Sequence, residues 1–142
     1  MSNFDLSSYE QCDAPAREAV SRYLTNHGYK VEDEENYGVD LRVGQEVGHE
    51  LEVSRRWEPG KEYPFGSIQI PRRKQKVLDA WWVCFFWVLN RDQSEGYVVS
   101  GEYLKLAPIV TRDCGERGVD EFFDVSLDHA MLVVLKRRMP WD

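Results

Sequence analysis

Tyr37-Gly-Val-Asp40-Leu41 and the later His49-Glu-Leu-Glu-Val-Ser54 decide how the chain is read. Both stretches alternate with period two. Val39, Leu41 and Val43 fall on one face with Asp40 and Arg42 on the other, and then Leu51 and Val53 oppose Glu50, Glu52 and Ser54. Between them Gly44-Gln-Glu-Val-Gly48 has the make-up of a hairpin loop, with glycines for the positive φ of a tight turn. Pairing the two strands would bring Asp40 near Glu50 or Glu52. Converging carboxylates are how proteins hold magnesium, which takes hard oxygen ligands and usually keeps water and substrate phosphate in its shell. The alternative is that these acids line the solvated face of an antiparallel hairpin.

Working outward, Pro15 to His27 has helical spacing at Ala19, Val20, Tyr23 and Leu24, and Gly28 stands where a helix cap belongs. Residues 1–13, rich in Ser, Asn and Asp, are expected to form a loose arm before a single domain over 14–142. Tyr29 to Val31 begins a first strand, and Glu32-Asp-Glu-Glu35 reads as a solvated loop. Beyond the hairpin, Glu58 to Gly66 is a loop long enough to meet a substrate, and Ile70 to Leu78 is predicted as a second, basic helix. Trp82 to Leu89 is continuous, aromatic and branched, the pattern of a strand buried on both faces. Tyr97 to Ser100 is expected to pair with it as an outer strand, and Glu102 to Leu106 to form a helical turn. A Gly-rich loop is expected over Thr111 to Gly118. Phe122 to Val125 and Met131 to Leu135 are apolar and readable as strand or helix.

Helix, strand, Gly-Val-Asp40-Leu, turn, Leu-Glu52-Val-Ser54 and basic helix together resemble the core of the PD-(D/E)XK nuclease superfamily, the fold of many restriction enzymes and junction resolvases. The resemblance covers roughly residues 14–90. It implies a restriction endonuclease-like α/β fold, with a mixed central sheet of four to five strands flanked by helices. It further implies magnesium- or manganese-dependent hydrolysis of phosphodiester bonds in DNA. Asp40 matches the superfamily's metal-binding aspartate, Glu52 the acid of its second motif, and Glu18 a further metal position on the first helix. Ser54 falls where the superfamily has a lysine, whose role is to position water and stabilise transition-state charge. Either Glu50-Leu-Glu52 acts as a Glu-x-Glu variant, or Lys74 or Lys76 reaches in from the basic helix.

Charge distribution fits a backbone-binding surface. The chain of 142 residues carries a net −7, yet residues 55–76 hold seven basic side chains against two acidic ones, a local +5 that leaves −12 elsewhere. Arg55, Arg56, Arg72, Arg73 and Lys74 are the candidate phosphate contacts, and Trp57, Tyr63 and Phe65 among them could stack on unpaired bases. Lys136-Arg-Arg138 would extend the patch or simply solubilise the terminus.

Other chemistry finds no support in the residues. Cys12, Cys84 and Cys114 lack metal or disulfide spacing, as expected for reduced thiols in a cytoplasmic protein. The opening residues lack a signal-peptide pattern, and the most apolar run, Ala80 to Leu89, is too short to span a bilayer. His27, His49 and His129 are isolated, and His49 should point away from Glu50. Three functions remain open. One is a nuclease, homodimeric by analogy. Another is a catalytically inactive module of the same fold that binds nucleic acid or protein, and the last is an acidic mimic of nucleic acid.

Overall fold

A computed structural model describes residues 6–34 and 39–136, and side chains from residue 14 onward within those ranges. Glu35, Tyr37, Gly38, Arg137, Arg138 and the Cys12 thiol, all named above, lie outside what is described. The chain is an α/β protein with a mixed six-stranded sheet, a three-stranded sheet and a few helices.

The first helix, α1 (Leu6–Asn26), packs on one face of the large sheet. Ala16, Val20 and Leu24 recur every four residues, one stripe of a 3.6-residue helix, and meet Leu41, Leu51, Trp87, Leu89, Val98 and Val133. The helix starts well before Pro15, inside the segment expected to be an arm, and runs through that proline. Its end is as expected. Gly28 takes φ 91° while Tyr29 N donates to Leu24 O and Gly28 N to Thr25 O, the Schellman arrangement.

The strands β1 (Val31–Asp33), β2 (Leu41–Val43) and β3 (Val47–Val53) form an antiparallel meander. Glu32 and Asp33 thus belong to a strand rather than a protruding loop, and Arg42 answers the acidic run by pairing with Glu32 and, at 3.0 Å, with Glu34. Gly44 supplies the positive φ of the turn, at 63°. Gly48 does not: it lies within β3, where a Cβ would stand 2.8 Å from the Trp81 ring and 3.0 Å from Val39. Close approach, not turn geometry, is what calls for glycine there.

The chain then crosses over. Residues predicted as one helix instead form β4 (Ser67–Pro71), a 3-10 turn at Arg72–Lys74, and α2 (Gln75–Ala80). Ile68 and Ile70 are buried with Val77 and Leu78, so the apolar residues alternate first and turn helical only after Pro71. This crossover is what allows β5 (Val83–Leu89) to lie parallel to β3, with Glu50 opposite Phe86 and Glu52 opposite Val88. From Phe86 onward β5 is buried on both faces, with Trp87 and Leu89 facing α1 and Phe86 and Val88 the second layer, whereas Trp82, expected in the buried strand, precedes it and is exposed, as is Val83.

Next come β6 (Glu95–Ser100) and α3 (Gly101–Leu106), then β7 (Ile109–Asp113), β8 (Val119–Ser126) and β9 (Met131–Val134). The large sheet runs β1-β2-β3-β5-β6-β9, so it has six strands rather than four or five. β6 is interior and β9 takes the edge. The second sheet, β4-β8-β7, was not anticipated, because β7 occupies a stretch read as loop. It closes over the large sheet through Phe123 and Val125, which pack with Val88 and Val99.

Substituting Gly48→Ala is expected to cost about 2 kcal/mol by forcing Trp81 and Val39 apart. Urea denaturation reads this as a lowered midpoint at an unchanged slope.

Candidate functional site

The acids converge where β2 begins. The chain bends at Asp40, so that Val39 joins the second layer's core while Leu41 joins the α1 side. A straight strand would put both on one face, as the alternation suggested. At the bend Asp40 keeps its backbone bonds, N–H donating to His49 O at 3.0 Å and carbonyl accepting from Glu34 N at 3.1 Å, and its Oδ2 accepts the Leu51 N–H at 2.8 Å. Its Oδ1 lies 3.6 Å from Arg17 of α1.

The even positions of β3 face the second layer, as the neighbours of Gly48 show. Glu50 is therefore directed inward between the layers, against the Asp40 carboxyl. Its Oε2 is fully buried and accepts no hydrogen bond among the described residues. The nearest cation is Lys74 Nζ at 3.6 Å, delivered by the 3-10 turn after β4. Burial first, then the adjacent Asp40 charge, push the Glu50 carboxyl up to about 8, with Lys74 opposing. Two carboxyls this close hold a proton or a cation between them.

Glu52, one step along the same face, is open to solvent at its tip yet crowded by the concave wall around it. Desolvation raises its carboxyl, and Lys74 and Arg73 counteract. It lines a cleft of about 510 Å³ together with Ser54, Arg56, Tyr63, Phe65 and Arg112. Asp40 is thus partnered by Glu50 rather than by Glu52, the acid matched to the second motif.

The other sequence candidates are distributed unevenly. Glu18 stays outside the cluster, exposed and paired with Arg22 at 2.6 Å, while its neighbour Arg17 reaches Asp40 instead. Lys76 is exposed on α2, and of the two lysines only Lys74 reaches an acid of the cluster at ion-pair distance. Arg72 holds Glu121 at 3.0 Å and Arg73 lies 4.0 Å from Asp120, so both lean on β8 acids some fifty residues further along the chain. Arg55 and Arg56 are exposed in the turn after β3. Trp57 is not available to stack on a base: it is buried, donates Nε1–H to Lys61 O at 2.9 Å and stacks on Tyr97. Among the described residues no three His, Cys, Asp or Glu side chains converge.

His49 points away from Glu50, as expected, and is buried beneath α1. Trp87 Nε1–H donates to its Nδ1 at 2.9 Å, which requires a neutral ring with that nitrogen unprotonated. Desolvation lowers it to about 4. Neither a protein-family model nor a curated protein matches the chain. No helix among the described residues is long and apolar enough to cross a membrane.

The two shifts act on stability with opposite pH dependence. His49 titrates lower folded than unfolded, so its contribution is present above about 6.5 and is lost as pH falls toward about 4. Glu50 titrates higher folded, so its contribution is present below about 4.5 and is lost as pH rises through about 8. Glu50→Gln, which mimics the protonated acid, is expected to stabilise the protein at pH 7 by on the order of 2 kcal/mol, with a gain that shrinks toward pH 5. His49→Gln should flatten the loss of stability between pH 7 and 5.5 by about 1 kcal/mol. Urea titrations of each variant against the parent at three pH values measure both effects.

Proposed function

We propose that this chain is a metal-dependent nuclease of the PD-(D/E)XK type that hydrolyses phosphodiester bonds in DNA. The observation that carries this reading is the meeting of Asp40 and Glu50 with Lys74 at 3.6 Å from Glu50, brought together by the start of β2, by β3 and by the basic 3-10 turn before α2. The succession α1, β1, β2, β3 is compatible with the order on which the resemblance rests, although β4 then stands between β3 and α2, where the resemblance has no strand. In this reading the motif acid is Glu50, Glu52 stands in the third position of Glu-x-Glu, and Lys74 replaces the missing lysine.

The residues fit a divalent cation. A buried carboxylate oxygen without a hydrogen bond beside a second carboxyl is a hard-oxygen donor set. Two protein ligands are the number magnesium takes when water and phosphate complete its shell. Bound there, magnesium or manganese would polarise the scissile phosphate and make water a better nucleophile. Asp40 and Glu50 would hold the ion, with the Leu51 N–H fixing the Asp40 carboxylate. Lys74, partly buried beside Glu50, puts a positive charge where negative charge grows on the phosphate oxygens. Arg73, next to it in the chain, and Arg56, at the cleft, would hold the flanking backbone.

A specific observation favours a second reading, a catalytically silent module of the same fold. Arg17 already offers Asp40 a cation at 3.6 Å. The two readings part on magnesium titration followed by calorimetry, with plasmid and single-stranded circles as substrates in magnesium or manganese. The nuclease reading expects a site of millimolar or better affinity that Asp40→Ala abolishes, and a loss of about 100-fold in kcat for Lys74→Ala with DNA binding retained. Absence of both ion binding and cleavage would leave the silent module.

A further inference from the structure

The cleft beside Glu52 has an aromatic and a polar lining. It lies between β3 and β4, roofed by the loop of residues 54–66, and its volume of about 510 Å³ is that of a small-molecule site. One wall is aromatic. Phe65 is 39% exposed at the end of the loop, just before β4, and Tyr63 stands edge-on to it at 5.5 Å. Tyr63 is held in turn by Trp57 and Tyr97 and donates its hydroxyl hydrogen to Ser67 O at 3.1 Å. Burial pushes its phenol up to about 12, so it stays neutral.

The opposite wall is a polar chain held in one arrangement. Asp124 accepts from Ser67 Oγ at 2.5 Å and Gln69 Nε2 at 3.3 Å, and Gln69 Oε1 accepts from Arg112 Nη1 at 2.6 Å. At the rim Arg56 has no ion-pair partner among the described residues. A flat ligand with a π-face and a hydrogen-bonding edge matches these two walls, and an anionic group attached to it matches Arg56. That is the chemistry of a nucleotide whose base is not stacked in a duplex.

We propose that this cleft receives one unpaired nucleotide of a DNA strand whose backbone crosses Asp40, Glu50 and Lys74, so that the substrate is single-stranded or locally unpaired DNA. The placement of the phosphate rests on the nuclease reading, whereas the affinity of the cleft for a base does not. Glu52 and Glu50 alternate along one strand, roughly 7 Å apart, which puts base and phosphate at neighbouring stations of one groove. In intact duplex the base faces are covered by stacking, and extruding one costs free energy that a strand already unpaired does not spend.

Fluorescence anisotropy on the full chain, at low salt and without added metal, tests this with an oligothymidylate of roughly 12 nucleotides against a blunt duplex of the same length. The single strand is expected to bind at least about tenfold tighter, and Phe65→Ala to lose about tenfold of that affinity, the effect of one stacked base. Gly66→Leu provides an independent block. No atom lies within 4 Å of where its Cβ would stand and its φ is ordinary, so the variant folds while narrowing the cleft. It should erase the preference for the single strand. Equal affinity for duplex and single strand, or wild-type binding by both variants, overturns the proposal even if plasmid cleavage persists. Loss of cleavage on every substrate with the single-strand preference intact overturns the nuclease reading and leaves the cleft assignment standing.

Discussion

The hydrogen bond from Leu51 N–H to the Asp40 carboxylate, 2.8 Å long, is the contact on which the site's architecture depends. Just before β2 begins, β3 would present an unpaired backbone donor inside a nearly buried sheet, and leaving such a donor unmet costs about 1–3 kcal/mol. Asp40 meets it with a side chain instead of a carbonyl. That substitution requires the bend that sends Val39 and Leu41 into different cores. It also leaves one carboxylate at the head of β2 facing the next acid along β3. The backbone's need for a partner and the site's need for converging acids are met by the same residue.

Glu50 bears the electrostatic consequence. Its buried oxygen, the neighbouring Asp40 and a lysine at 3.6 Å make a cluster that is not at its stability optimum, since both burial and like charge act against ionisation. Residues held against their own preferences are common where a protein binds charge, because the bound species relieves what the fold alone leaves unsatisfied. The hydrophobic layers on either side make this tolerable. Ala16, Val20 and Leu24 seal one face of β3 and β5, and Ile68, Phe123 and Val125 seal the other. The second sheet has a further effect: its β8 acids Asp120 and Glu121 hold Arg72 and Arg73, so the basic patch is partly neutralised. The cations left facing the cleft are Arg56 and Arg112.

Much of the local structure was legible. The alternation within β3, the apolar run of β5 and the glycine cap after α1 are short-range signals that the structure keeps, whereas the alternation through Val39 and Leu41 breaks at the bend and α1 starts well before Pro15. Errors arose where a local signal had two meanings. Pro15 and Pro71 both suggested helix starts, yet one lies within α1 and the other ends β4. Gly48 was read as a turn residue because a glycine's spacing does not say whether it serves φ or close packing. Trp57 was grouped with exposed aromatics because its neighbours are polar, although its ring is wedged beside Tyr63 and Tyr97.

From its sequence alone, the chain is an α/β protein that sets acids at Asp40, Glu50 and Glu52 on paired strands and follows them with a basic segment. These features depend on alternation and propensity, which act between near neighbours. Which acids meet, and which lysine joins them, only the tertiary structure decided. The choice of Glu50 over Glu52 follows from the bend at Asp40, and that of Lys74 over Lys76 from a 3-10 turn where a helix was expected. The cleft follows from β7 and β8 folding back over residues roughly fifty positions earlier in the chain. Those outcomes depend on register and long-range packing, and no window of sequence contains both partners.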